Sequence, residues 1–574
     1  MLSNINRPSL LVTSLIAGAI AALCLLIAQA DTLIPRYRLT PVFPSHAQAV
    51  ASFDASIIAG LLLDSSQDQP NIIIPVSTGS LVGIDGKTGS VLWRLDIPRA
   101  KNQKIELAAT PVIVDNKMIV SYQVVEKGVR ISHRMAVVDL VERRWDDNFQ
   151  TLELHAQQKT ADGKATVKFN PPTAYSHAAL KYAASPNSRL GFVYAGFGNA
   201  SDTQPFHGWL FEIDLDAWFH QENNKVISGV LLTTPEPQCP VNLEYGTQEM
   251  ICGGGIWAPA GPKIIQSDSG YELLVPTGNG QVDLARDDYA NSLLKIKPGL
   301  HFEPDCNEQL CRNFNPSLPD EACLSSCKNL FIPRLPENAA PLRPANQECD
   351  DKTFAECLAW MDYDLGGSAP AKARLADGKS VLIQPGKDGA VYLIDADHLG
   401  TQFDRLQITG LCGTENDPCK AGWMGMIVTQ PIVVNLGETP MVIIPTFVPD
   451  RSHPGGVVAL TIVTKNGRPK FEQRWRFPER QSSEALTAFR SHPSFPVISR
   501  LKHSSEVVVW IVDTGNPGTL YGISVKSGKV LVEQKLQGTG RQLSMPVIRN
   551  DMIYLASTSA ATGKTFVEAY RISQ

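Results

Sequence analysis

Cysteine is the most reactive residue type in this chain, and its spacing decides between two chemistries. Cys24 lies in an apolar leader; the other ten are Cys239, Cys252, Cys306, Cys311, Cys323, Cys327, Cys349, Cys357, Cys412 and Cys419. Thiolate metal sites use closely paired cysteines or nearby histidines. Cys306-x4-Cys311 and Cys323-x3-Cys327 lack that pairing and have no histidine beside them. An even set in an exported chain points to disulfides. The expectation is that all ten pair and none stays free, with Cys239–Cys252 and Cys412–Cys419 close enough in sequence to close small loops. No Cys-x-x-Cys-His is present, so a covalently attached haem is excluded and any electrons must leave to a separate acceptor protein. His133, His207, His398 and His453 are scattered without metal spacing. Thr562-Gly563-Lys564-Thr565 lacks the leading glycine of a phosphate loop, Thr558 standing in its place, and reads as a turn. No Gly-x-Ser-x-Gly occurs, which argues against a serine hydrolase.

The chain has 574 residues, 19% of them charged, and with Gly 43 and Pro 40 it is turn-rich and globular in composition. A net charge of −5 without a basic block excludes nucleic acid as a partner. Residues 1–30 read as a signal peptide. Arg7 precedes an apolar run from Leu10 to Ala28, and Ala28-Gln29-Ala30 fits the small-x-small cleavage rule. Left uncleaved, the run is just long enough to anchor the chain in a bilayer. Either way the expected location is periplasmic or secreted.

Short β-branched runs alternate with turn residues along the remainder. Gly79-Ser80-Leu81-Val82-Gly83-Ile84-Asp85-Gly86-Lys87-Thr88-Gly89-Ser90-Val91-Leu92-Trp93 reads as strand, tight turn, strand, with Trp93 as a packing anchor. The pattern returns at 518–532 and, more loosely, at 389–395. Strand clusters centre near 71–96, 108–149, 173–234, 253–303, 364–409, 422–478, 490–536 and 542–573. Units of this length with four strands each build a propeller. The predicted fold is therefore all-β, an eight-bladed β-propeller over 60–574 preceded by a lead-in at 31–59. The stretch 304–361 holds six cysteines and many prolines and is predicted to be a disulfide-stapled insertion lying over one face of the disc.

The turn at 79–93 resembles the repeat of the pyrroloquinoline quinone (PQQ) dehydrogenases and their non-enzymatic relatives. Four further stretches occur in that family's order. Gly253-Gly254-Gly255-Ile256-Trp257 resembles the glycine run leading to the tryptophan beneath the quinone. Pro276-Thr277-Gly278-Asn279-Gly280 resembles the turn whose Asn binds calcium. Asp362-Tyr363-Asp364-Leu365 resembles the segment of the catalytic Asp. Gln384-Pro385-Gly386-Lys387-Asp388-Gly389 resembles the segment whose basic residue meets the quinone carbonyls. Glu126-Lys127-Gly128-Val129-Arg130 resembles the site of the Glu that completes the calcium shell. The resemblance implies a quinoprotein alcohol dehydrogenase-like fold, with Trp257 and Lys387 holding PQQ and Glu126, Asn279 and Asp362 holding calcium, whose hard oxygen shell they would suit.

The departures imply a different chemistry. The adjacent cysteine pair of the quinone alcohol dehydrogenases is absent, Val532 stands where Trp93 does, and a cysteine-rich stretch precedes Asp362. That combination resembles tetrathionate hydrolase, an exported eight-bladed propeller in which insertion loops build the cavity and the dimer contact. The resemblance implies a small anionic sulfur substrate, a homodimer through the insertion, no cofactor, and Asp362 as the acid/base with Asp364 as the fallback. Lys387 and the glycine amides at 253–255 would then face the dianion. A carboxyl in a closed cavity is desolvated and keeps its proton to higher pH, which suits proton donation. The two enzyme readings, hydrolase and PQQ- and calcium-dependent dehydrogenase, stand beside a third: a non-catalytic envelope scaffold.

Overall fold

The computed structural model describes residues 37–43, 51–64, 71–186, 188–199, 206–237, 253–267, 270–336, 339, 349–409, 427–437, 439–447, 455–479, 482, 487–501, 505–515 and 517–573. It is an eight-bladed β-propeller. The first blade shows the plan: Leu62–Asp64, Asn71–Val76, Ser80–Asp85 and Val91–Asp96 form an antiparallel meander. The fourth runs Lys263–Ser267, Gly270–Pro276, Leu293–Ile296 and Leu330–Phe331. The fifth runs Ala371–Arg374, Ser380–Pro385, Ala390–Asp395 and Gln402–Gln407. The middle strands of each blade are apolar runs buried on both sides, as Asn71–Val76 is throughout, while outer strands such as Val91–Asp96 alternate exposed and buried residues.

The ring closes through side chains. Eight apolar clusters each join neighbouring blades, from Ile73, Leu81 and Val120 between the first and second to Ile72, Val82 and Tyr554 between the eighth and first. Ala260, Ala369 and Phe495, with Leu543 and Met545 against them, come from the entries to the fourth, fifth, seventh and eighth blades and can meet only at the axis, where they plug the channel.

The repeat turn behaves as its sequence predicts. Asp85 accepts from the amides of Lys87 and Thr88 at 2.9 and 2.8 Å, and Gly89 takes φ +72°. Gly83 is paired with Trp93, whose indole fills the space a side chain there would need. Gly522 pairs in the same register with Val532, and Trp510, its partner on the adjacent strand Val507–Asp513, fills that space. The Thr562–Thr565 stretch is the turn between the last two strands.

Two boundaries differ from the sequence reading. Within the lead-in, Arg38–Phe43 pairs with Thr565–Ser573 and supplies the outer strand of the last blade, so the chain's beginning latches its end. Within the 304–361 stretch, Leu330–Phe331 pairs with Leu293–Ile296 and is the outer strand of the fourth blade. A two-residue strand is too short to leave a periodic signal. It divides the cysteines. Cys306–Cys327 and Cys311–Cys323 staple the connection between the third and outer strands, packed against Leu399 and Gly400 of the next blade. Cys349–Cys357 staples the connection leading into the fifth blade. In an antiparallel meander these two connections lie at opposite ends, so the stretch covers both faces of the disc and only its second half reaches the one carrying Asp362. Cys306, Cys311 and Cys327 lie together because they are bridged. Cys239, Cys252, Cys412, Cys419 and the signal segment lie outside the described residues.

Asp288, on the long connection between the second and third strands of the fourth blade, is buried with Oδ2 lacking a hydrogen-bond partner among the described residues. Burial raises its pKa from 3.8 to about 7, aided by Asp283 and Glu236, while the Glu236 amide and Arg286 oppose the rise. A carboxyl with a raised native pKa holds its proton longer when folded, so stability should fall as pH rises from about 4 to about 7. Asp288→Asn is expected to flatten that slope in thermal unfolding and to melt higher than wild type at pH 8.

Candidate functional site

Each blade sends two kinds of loop to one face: the turn from second to third strand, and the connection from outer strand to the next blade. Trp257, Asp362 and Asp364 lie on connections of the second kind; Glu126, Asn279 and Lys387 lie on turns of the first. The topology therefore places all six on one face of the disc.

Asp362 is set by a helix terminus. Phe354–Trp360 starts with a capping box between Thr353 and Glu356 and is tied back by Cys349–Cys357. It ends with Tyr363 N–H bonded to Leu358 O at 2.8 Å and Asp362 N–H to Ala359 O at 3.4 Å, the Schellman pattern. Asp362 holds the left-handed position at φ +55°, where glycine is usual. A side chain there is disfavoured, and residues kept at such cost concentrate at functional sites.

Lys387 unites the centre. Its Nζ lies 2.7 Å from Asp362 Oδ2 and 3.3 Å from Asp364 Oδ2, and 4.8 Å from the centre of the Trp257 ring. All three charged side chains are buried, with at most 10% exposure. Burial acts against the ammonium, but the two carboxylates outweigh it and hold its pKa above the ordinary lysine range. Asp364 Oδ1 has no hydrogen-bond partner among the described residues. Beneath the turn, Asp388 binds Arg405 at 2.7 Å and the Tyr392 hydroxyl at 2.8 Å, which fixes the backbone that carries Lys387.

The plane of Trp257 is fixed by glycines. A Cβ on Gly366 would stand 2.7 Å from its Nε1 and 2.7 Å from Gly278 N, and one on Gly367 would stand 2.9 Å from Cη2. The indole is half-exposed.

Of the residues expected to hold calcium with Asp362, Asn279 and Glu126 stand in different settings. Asn279 Nδ2 donates to Ala359 O at 2.8 Å, capping the helix that leads to Asp362, and its Oδ1 accepts from Gly280 N at 2.9 Å. Glu126 ends the strand Lys117–Glu126 at the tip of a hairpin, half-exposed, and makes no hydrogen bond or ion pair with Asn279 or Asp362. Asp362 faces the Lys387 ammonium. Asn279 is thus brought to the helix end that carries Asp362, since Ala359 O accepts from both, while no hydrogen bond or ion pair ties Glu126 to either. A planar quinone fits: a glycine-framed indole face, a cation over it, and a carboxylate beside the cation.

Tyr175, His177 and Arg541, which no motif singled out, lie on the same face, with Arg130 beside them. Arg130 stacks over the Tyr175 ring at 5.0 Å and bonds Glu106 at 2.9 Å. Tyr175 is bridged to Gly198, against which the Trp257 Cβ packs, and its ring centre is 6.2 Å from that of His177. Arg541, two residues before Leu543 of the axial plug, acts electrostatically on both Tyr175 and His177. The one sequence signal for them is position, just ahead of an inner strand. His133, by contrast, is a core residue packed against Phe169 and Phe197.

No protein-family model and no curated protein matches this sequence. Solved structures do. The quinohemoprotein alcohol dehydrogenase ADHIIG of Pseudomonas putida HK5 aligns over 91% of this chain and 76% of its own at TM-score 0.50 and 13% identity. The quinohemoprotein alcohol dehydrogenase of Comamonas testosteroni aligns over 91% and 76% at TM-score 0.49 and 11% identity. BamB of Moraxella catarrhalis aligns over 93% of this chain and all of its own at TM-score 0.45 and 11% identity. The chain has the fold of the quinoprotein alcohol dehydrogenase-like propellers. At these identities the likeness is one of fold.

Gly366→Ala tests the frame of Trp257. Because backbone as well as indole stands in the way, overpacking of this kind costs about 1–3 kcal/mol. The expected result is a shifted Trp fluorescence maximum with loss of stability in that range; Gly515→Ala, with only ordinary contacts at its Cβ and no left-handed backbone, controls for the general effect of the exchange.

Proposed function

We propose that this chain is an oxidoreductase that takes a PQQ-type quinone on Trp257 and uses Asp362 as its base. The observation that carries the reading is the buried Lys387 ammonium lying between Asp362 and Asp364 over the indole. The two carboxylates hold that lysine charged, so an ammonium is in place beside Asp362 and over the indole, where a quinone would need it. When bound, the quinone supplies the two-electron acceptor. Asp362 then takes the hydroxyl proton of an alcohol or similar substrate, and Lys387 faces the quinone carbonyls and stabilises negative charge there. Electrons leave to a separate protein, since the sequence has no haem-attachment motif. Export to an oxidising compartment is part of this reading and fits the three disulfides.

The second reading, hydrolysis of tetrathionate by a homodimer, is favoured by the disulfide-tied helix immediately ahead of Asp362. It requires Asp362 to act as a proton donor.

Titration of the purified protein with PQQ separates the two. Stoichiometric quenching of Trp257, unaffected by chelator and lost in Trp257→Ala, supports the quinone reading; no quenching, with thiosulfate released from tetrathionate, overturns it. Asp362→Asn keeps the shape but cannot accept a proton. It is expected to lower dye-linked alcohol oxidation by about 100- to 10,000-fold while sparing PQQ binding. Wild-type activity should fall as pH is lowered and Asp362 protonates; the hydrolase would gain activity instead.

A further inference from the structure

Arg541 is a cation with no counter-ion among the described residues, and its Nε is buried without a hydrogen-bond partner there. Desolvation lowers its pKa, the tyrosine hydroxyl alone opposing this. Desolvation also depresses the His177 pKa to about 4, with the Arg541 charge adding to it, so the imidazole is neutral at ordinary pH and able to donate one N–H. The other charges facing this group are Arg130 and Glu106, which neutralise each other at 2.9 Å. One positive charge is left over beside the axis, on the face that carries Trp257 and Lys387. An arginine fork is shaped for a two-oxygen anion, and leaving it desolvated and unpaired is costly.

We propose that Arg541, with His177 and Tyr175 beside it, forms a subsite for the oxyanion group of a small-molecule substrate. The substrate class is thereby narrowed to anions, a hydroxy acid in the oxidoreductase reading. The inference rests on that reading for the reaction, and not for the binding of the anion itself.

Binding is tested by isothermal titration of the mature protein, without quinone and at fixed ionic strength, with oxalate, tetrathionate and uncharged ethylene glycol as probes, and with PQQ titrated separately. Wild type is expected to bind at least one anion in the millimolar range or tighter and to ignore the glycol. Arg541→Gln should weaken that binding at least about tenfold, the effect of one lost charge-assisted hydrogen bond, with PQQ affinity retained. The proposal is overturned if wild type binds neither anion or if Arg541→Gln binds them equally well. It is overturned too if the variant loses PQQ while keeping the anions, which would assign Arg541 to the carboxylates of the quinone. Should Arg541→Gln not fold, Arg541→Lys keeps the charge and loses the fork. Its affinity should then drop measurably, and an unchanged affinity counts against the subsite. Failure here leaves quenching of Trp257 by PQQ, and hence the quinone reading, untouched.

Discussion

One ammonium group among two carboxylates and an indole governs this face of the propeller. Burying Lys387 alone would cost several kcal/mol, and burying Asp362 and Asp364 alone would do the same. Together they satisfy one another at 2.7 and 3.3 Å, while Asp364 Oδ1 has no hydrogen-bond partner among the described residues. A cluster of this kind is poor evidence for stability, since apolar residues of similar volume often serve as well. Its persistence, with Asp362 held in a left-handed backbone conformation, argues for chemistry.

The scaffold explains how such a group is held. The fifth blade supplies Lys387 from one turn, and the Asp388–Arg405–Tyr392 network beneath it keeps that turn in place. The helix before the same blade supplies Asp362 from its terminus, which Asn279 of the fourth blade caps. Trp257 stands between the two blades in a frame of glycines. The centre is thus assembled across a blade interface whose apolar packing, Leu274 and Leu293 against Leu382 and Tyr392, is dense and rigid. Small shifts between blades would be felt directly at the ion pair.

Much of this was legible in the sequence, for identifiable reasons. Turn chemistry is local, so Asp85 with Gly89 and Ser524 with Gly528 announce blades wherever they recur. Trp257, Asp362, Asp364 and Lys387 sit in loops at the opposite end of the blades from those turns, and their convergence on one face follows from the topology. The two latching strands were not legible because each forms only with a distant partner: Arg38–Phe43 with the last strand, Leu330–Phe331 with a strand some thirty residues earlier. The contacts made by the residues of the calcium motifs were not legible for a different reason. A motif specifies that Asn279 stands in the turn, and it is silent on whether the amide meets an ion or a helix end. Arg541 carries no motif, and its importance appears only when the absence of a counter-ion among the described residues is seen.

The central claim is that Lys387 and Asp362 act as one unit, and a double-mutant cycle on unfolding free energy measures this directly. Lys387→Met, Asp362→Asn and the double variant, each close to isosteric, are compared with wild type by denaturant unfolding at neutral pH. The expected result is strong non-additivity, a coupling on the order of 1–3 kcal/mol, because Lys387→Met leaves the Asp362 carboxylate buried without its ammonium, a cost that the double change removes. Additivity to within about 0.5 kcal/mol would show that the two charges do not depend on each other and would contradict the site described for this face.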